Sequence, residues 1–156
     1  RIFNSLDFRL NQAFEDGPWF NPHMYRMVFH RFPGSKFILF ERDPENWFRS
    51  MLSHSNRKTL GVTHRHCEMY RREKEYYEKI DSGESIPFEN GLLLDDLKDH
   101  YIELYNIYNR KAKDFFYENG KESLFMGRLE DDGKWEKLAD FLGLKYAGDD
   151  IHMNKS

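Results

Sequence analysis

Lys36–Ser50 reads KFILFERDPENWFRS. An apolar run from Phe37 to Phe40 leads into Arg42-Asp43-Pro44, and Ser50 follows eight residues after the arginine. An unbroken apolar run bounded by polar residues marks a parallel-sheet strand buried on both faces. Lys36–Glu41 is read as such a strand. Asp43 suits a helix N-cap and Pro44 a first helical position, so a helix is expected from Pro44 to about Ser55. The first backbone N–H groups of a helix lack intrahelical partners, and its dipole is positive at that end. A strand-to-helix corner of this kind attracts anions, and ligands gather at the carboxyl ends of parallel strands. Arg42 stands on the corner with a planar fork that matches phosphate oxygens. Ser50 lies about two turns along the helix. It belongs to a polar stripe of Asn46, Arg49, Ser50, Ser53 and Arg57, while Trp47, Phe48, Met51 and Leu52 face the core. The plainer alternative pairs Arg42 with Asp43 or Glu41 and leaves Ser50 solvated.

Outward from this stretch, Met24, Met27, Val28, Phe29 and Phe32 recur at helical spacing, which predicts a helix over Pro22–Phe32, ended by Pro33-Gly34. Residues 1–16 have no clear pattern. Asn56–Thr63 reads as a polar loop. His64–Ile80 is expected to be one long, mostly solvated helix, and Asp81–Gly91 a loop. Asp95–Asn119 is predicted as a long helix with Tyr101, Leu104, Tyr105, Tyr108, Ala112 and Phe115 on one face, stopped at Gly120. The stripe Tyr101/Tyr105/Tyr108 reads as core. Ser123–Met126 is a second short strand. Gly133–Leu142 is a helix with Trp135, Leu138, Phe141 and Leu142 inward, closed by Gly143. Helices alternating with buried strands predict an α/β domain with a parallel sheet.

The 156 residues fit a single domain. The chain is 39% hydrophobic and 17% aromatic, enough for a core, and 33% charged. Its net charge of −3 argues against a nucleic-acid binder, so any anion site must be local. No apolar run is long enough to span a membrane. Cys67 is the only cysteine, so no intrachain disulfide can form, which fits a reducing, cytoplasmic setting. The chain opens on Arg1 rather than Met and is expected to be part of something longer.

The residues carry a resemblance. KFILFERDPENWFRS resembles the 3′-phosphate-binding segment of the sulfotransferases that use 3′-phosphoadenosine 5′-phosphosulfate (PAPS), in which a K-x-I-L strand runs into R-D/N-P with Trp and Ser downstream. Glu41 departs from that pattern, because the family usually has an apolar or small residue before the arginine. DGPWF…FPGSKFIL (Asp16–Leu39) is similar to the lead-in of one branch, LEDDGKWEKLADFLGL (Leu129–Leu144) to the family's close, and HMNKS (His152–Ser156) to its tail. The resemblance implies a three-layer, P-loop-like parallel sheet flanked by helices, present here as a helix-rich C-terminal part. It also implies that Arg42 and Ser50 grip the 3′-phosphate, with His152, Asn154 and Lys155 where the family has C-terminal nucleotide contacts, Lys155 foremost. The donor would be PAPS, the nucleotide product adenosine 3′,5′-bisphosphate (PAP), the acceptor a small molecule or glycan, and no metal would be required. The family's Gly- and Ser/Thr-rich 5′-phosphosulfate loop has no counterpart in these residues and is expected upstream.

Asp16 has two readings. It takes the proton of an attacking hydroxyl as general base, with Glu15 as rival, or it caps the following turn. His64, Arg65, His66 and Cys67 suggest a metal at first glance, but neighbours one and two residues apart on a helix point in different directions. Arg65, Arg71, Arg72 and Lys74 read as a solvated face, with contact to the nucleotide or an acidic acceptor as the alternative. Two rival functions remain. A P-loop nucleotide kinase would need a Walker loop and an acidic magnesium ligand. A degenerate, non-catalytic helical module would keep the aromatic core and bind no nucleotide.

Overall fold

Four consecutive large apolar side chains at Phe37–Phe40 favour extended backbone, and Phe37–Glu41 forms strand β1. In chain order the computed structural model has a 3₁₀ turn at Ile2–Asn4, α1 at Leu6–Leu10, α2 at Met24–Arg31, then β1. Helices α3 (Pro44–His54), α4 (His64–Met69) and α5 (Glu73–Asp81) follow. A 3₁₀ turn at Asp95–Leu97 opens the long helix α6 (Lys98–Asn119), and Lys121–Ser123 leads into strand β2 (Leu124–Arg128) and helix α7 (Lys134–Leu142). Residues 2–15, 21, 23–57, 64–83, 92–146 and 148 are described.

β1 and β2 pair in parallel, from Phe37 opposite Leu124 to Glu41 opposite Arg128. The chain is thus α/β, with helices around a small parallel sheet. Successive strand residues face opposite ways, so each face has its own cover. On one face Phe37 meets Phe116 of α6 at 4.7 Å between ring centroids, and Phe29 of α2 meets Phe116 at 5.7 Å. On the other, Phe40 meets Trp135 of α7 at 5.3 Å and Phe125 meets Phe141 at 5.7 Å. Gly127 leaves room for these rings, since a Cβ there would come within 2.7 Å of Phe40. Lys36 donates to the Phe141 carbonyl at 2.5 Å, a cation on the negative end of α7.

The strand is less buried than its composition predicts. Ile38 is 48% exposed. Among the described residues β2 is the strand that pairs with β1, and α7 packs over Phe40 and Phe125 rather than over the far edge.

The expected single helix over His64–Ile80 is two helices. Arg71 adopts φ +55, the left-handed region that ends a helix, and Arg72 N–H reaches back to the Cys67 carbonyl at 2.6 Å. The break turns Arg72 inward. Far from lying on a solvated face with Arg71 and Lys74, it is only 6% exposed. Its Nε and Nη2 grip both oxygens of Glu75 at 2.7–2.9 Å, while Nη1 reaches the Leu93 carbonyl at 2.7 Å and the Tyr101 hydroxyl at 3.1 Å. A buried guanidinium is tolerable only with such full pairing. The bonds tie α5, the segment before α6, and α6 itself into one unit. Beside them lies the core of Phe48, Leu94 and Tyr101, with Trp47, Met51, Leu52, Tyr70, Leu97 and Ile102 packed around it.

Arg72→Lys removes the fork that serves three acceptors at once, so it should cost roughly 2–3 kcal/mol of stability, measured by urea unfolding. The buried phenols set a pH limit. Burial pushes Tyr70 up to about 12 and raises Tyr101 and Tyr108 as well, with Arg72 pulling Tyr101 partly back. A phenol whose folded value is raised contributes stability that is complete below its unfolded value of about 10 and lost as pH climbs toward the folded value. Unfolding free energy should therefore fall above about pH 10, with the share of tyrosinate absorbance that comes from the buried phenols appearing together with unfolding.

Candidate functional site

The predicted corner forms as the residues dictate. Asp43 caps α3, its Oδ1 accepting from Asn46 N–H at 3.0 Å, and Pro44 takes the first helical position. With its side chain engaged in the cap, Asp43 forms no ion pair with Arg42. Glu41 is engaged too, bound by Lys113 of α6 at 2.9 Å. Glu41 pairs with Lys113 and Arg42 with Glu130, so the two neighbours have different partners. Neither neighbour named in the plainer alternative neutralises the guanidinium.

Parallel pairing has a second effect at this corner. The ladder runs one residue past the strands, with Leu129 N–H donating to the Glu41 carbonyl at 2.9 Å. The chain after β2 therefore lies beside the chain after β1, and Glu130 comes to Arg42. Its Oε1 is 3.7 Å from Arg42 Nε, with the two side chains 34% and 38% exposed. That is an ion pair without a hydrogen bond, worth no more than about 1 kcal/mol in this setting. Arg42 Nε is buried and, among the described residues, makes no hydrogen bond. The backbone of Arg42 is held instead. Its N–H donates to the Tyr105 hydroxyl at 2.8 Å, and the same hydroxyl donates to its carbonyl at 3.2 Å. The Tyr105 ring stacks on Trp47 of α3 at 4.5 Å and 27°.

Ser50 is exposed on α3, on the line of Asp43 and Asn46, three and four residues apart. Arg49 Nη1 donates to Asn46 Oδ1 at 3.3 Å, so the stripe read from sequence forms from Asn46 to Ser53. Arg57 leaves it. Past the helix end it adopts φ +63 and binds the Asp95 carboxylate with both Nε and Nη2.

The structure brings Arg42 together with Tyr105 and Glu130, and places Ser50 on the helix that Arg42 precedes. Asp16, Lys155, His152 and Asn154 lie outside the described residues. Glu15 is described and exposed. Cys67 is buried, and burial raises its thiol. Among the described residues no group of three His, Cys, Asp or Glu side chains could hold a metal ion, and no helix is long and apolar enough to cross a membrane. Sequence reading missed Tyr105 and Glu130 as parts of the corner. Tyr105 matched the core stripe, and a helical period does not tell where a phenol's hydroxyl ends. Glu130 stood only within a motif far along the chain.

The sulfotransferase-domain family matches residues 10–151, and the chain belongs to that family. No curated protein and no solved structure matches it.

The cap can be tested by itself. Asp43→Ala should lower stability by about 1 kcal/mol, and Asp43→Ser, which keeps an acceptor, by much less, both read from thermal unfolding.

Proposed function

We propose that this chain takes part in transferring a sulfuryl group from PAPS to a hydroxyl or amine of a small-molecule or glycan acceptor, in a cytoplasmic setting. The carrying observation is Arg42 at the β1–α3 corner. Its two sequence neighbours are bound elsewhere, its Nε is buried without a hydrogen bond among the described residues, and its backbone is clamped. A buried donor without an acceptor is costly, and a nucleotide phosphate would supply the acceptor. The residues present thus fit the 3′-phosphate of the donor nucleotide. A three-layer, P-loop-like sheet suits this reading, and α7 and α6 on opposite faces of β1–β2 support it.

The donor, when bound, supplies the activated sulfuryl group and leaves as PAP. Arg42 binds the 3′-phosphate by charge-assisted hydrogen bonds and so orients the nucleotide. Ser50 adds a neutral hydroxyl donor from the exposed face of α3. Lys155 adds a cation near the nucleotide. Asp16 accepts the proton released as the acceptor oxygen or nitrogen bonds to sulfur. Positioning and charge stabilisation carry the rate, as in phosphoryl transfer, and no metal is required.

The test uses two nucleotides that differ by one phosphate. Calorimetric titration of PAP into Arg42→Ala should show at least ~10-fold weaker binding than wild type, from a charge-assisted bond of roughly 1.5–3 kcal/mol. Ser50→Ala should weaken PAP by about 5-fold, the scale of one neutral bond. Adenosine 5′-phosphate lacks the 3′-phosphate, so its binding should barely change. Equal loss for both nucleotides, or none for either, would return R-D-P to an ordinary helix cap.

A further inference from the structure

Arg42 belongs to neither regular element. β1 ends at Glu41 and α3 begins at Pro44. The last bond of the ladder joins Leu129 N–H to Glu41 C=O, so the peptide groups of Arg42 fall beyond it. A half-buried N–H and C=O with no partner would leave the corner free to rotate. Tyr105 answers both with one atom. A hydroxyl can accept and donate at once, which neither an ammonium nor a carboxylate can do. Tyr105 Oη accepts from Arg42 N–H at 2.8 Å and donates to Arg42 C=O at 3.2 Å. The ring below that hydroxyl is fixed by its stack on Trp47, five residues past the arginine. One side chain on α6 therefore sets both sides of the corner.

The guanidinium needs this help. Among the described residues its Nε makes no hydrogen bond, and its ion pair with Glu130 spans 3.7 Å between partly exposed groups. Side-chain partners therefore do not aim the fork, and its direction is inherited from the backbone at 42. The rest of α6 grips the flanking residues in the same sense. Lys113 binds Glu41 at 2.9 Å and Lys98 binds Glu45 at 2.5 Å.

We propose that Tyr105 is a positioning residue, whose hydroxyl holds the Arg42 peptide so that the guanidinium is aimed at the 3′-phosphate. The inference rests on the assignment of Arg42 above. It predicts that removing the Tyr105 hydroxyl weakens recognition of one phosphate rather than of the nucleotide as a whole.

Tyr105→Phe keeps the ring and its stack and removes only the hydroxyl. PAP and adenosine 5′-phosphate are titrated in turn into the intact wild-type protein, Tyr105→Phe, Arg42→Ala and the double variant, with thermal unfolding to verify folding. Tyr105→Phe should weaken PAP roughly 5- to 10-fold, the scale of one or two neutral hydrogen bonds, and leave adenosine 5′-phosphate unchanged. In the Arg42→Ala background the same change should alter PAP affinity by less than about 2-fold, because the group it positions is gone. Equal weakening of both nucleotides, or a full additional loss in the double variant, would make Tyr105 a general structural residue and overturn the proposal. A silent Tyr105→Phe beside an effective Arg42→Ala overturns it while leaving the phosphate site intact. A silent Arg42→Ala overturns both. Should Tyr105→Phe fail to fold, Trp47→Phe takes its place. It loosens the stack but keeps the hydroxyl, and a smaller loss, confined to PAP, is expected, whereas equal loss for both nucleotides overturns the proposal.

Discussion

The parallel pairing of β1 with β2 is the constraint on which the corner depends. Parallel strands cannot be joined by a tight turn, so the chain must leave β1, cross the sheet and return to start β2 at the same end. Here that crossover contains α3 to α6. The return sets Glu41 opposite Arg128 and so puts the residues after each strand side by side. Arg42 and Glu130 become neighbours for that reason alone. An antiparallel register would have sent the two strand ends to opposite sides of the sheet. The same pairing puts the carboxyl ends of both strands on one side, where α3 begins with its positive end.

Helix α6 turns that arrangement into a fixed one. Its aromatic residues serve different layers along its length. Tyr101 closes the core with Phe48 and Leu94, Tyr105 holds the Arg42 peptide, and Phe116 seals the sheet against Phe37. Between them Lys98 and Lys113 meet carboxylates on either side of the corner. Each exposed ion pair adds little to stability, but all of them constrain the same five residues. The Arg72 network anchors α6 about one turn before Tyr105, through the Tyr101 hydroxyl. A buried charge with every donor satisfied tolerates little displacement, so the helix is held both where it meets α5 and where it meets the corner.

The chain belongs to the sulfotransferase-domain family, and neither sequence neighbour of its Arg42 pairs with the guanidinium. The departure at Glu41 causes no conflict, because Lys113 takes that carboxylate.

The local elements were legible because their causes are local. Asp43-Pro44 carries its own cap, the run at Phe37–Phe40 its own extended preference, and Gly133 and Gly143 bound α7 with left-handed backbone. Arg42 and Ser50 stood out for the same reason, being defined by their spacing around one strand-to-helix turn. Three features were decided by contacts between segments far apart in the chain. The helix break at Arg71 exists because the inward Arg72 finds Glu75, Leu93 and Tyr101 together, and no window of sequence contains all three. The exposure of Ile38 depends on which helix covers which part of the sheet. The hydroxyl of Tyr105 reaches Arg42 across 63 residues of chain, because α6 packs along α3 at one particular rotation. Periodicity fixes which face of a helix is apolar, whereas the partner of a single polar atom is set by tertiary packing.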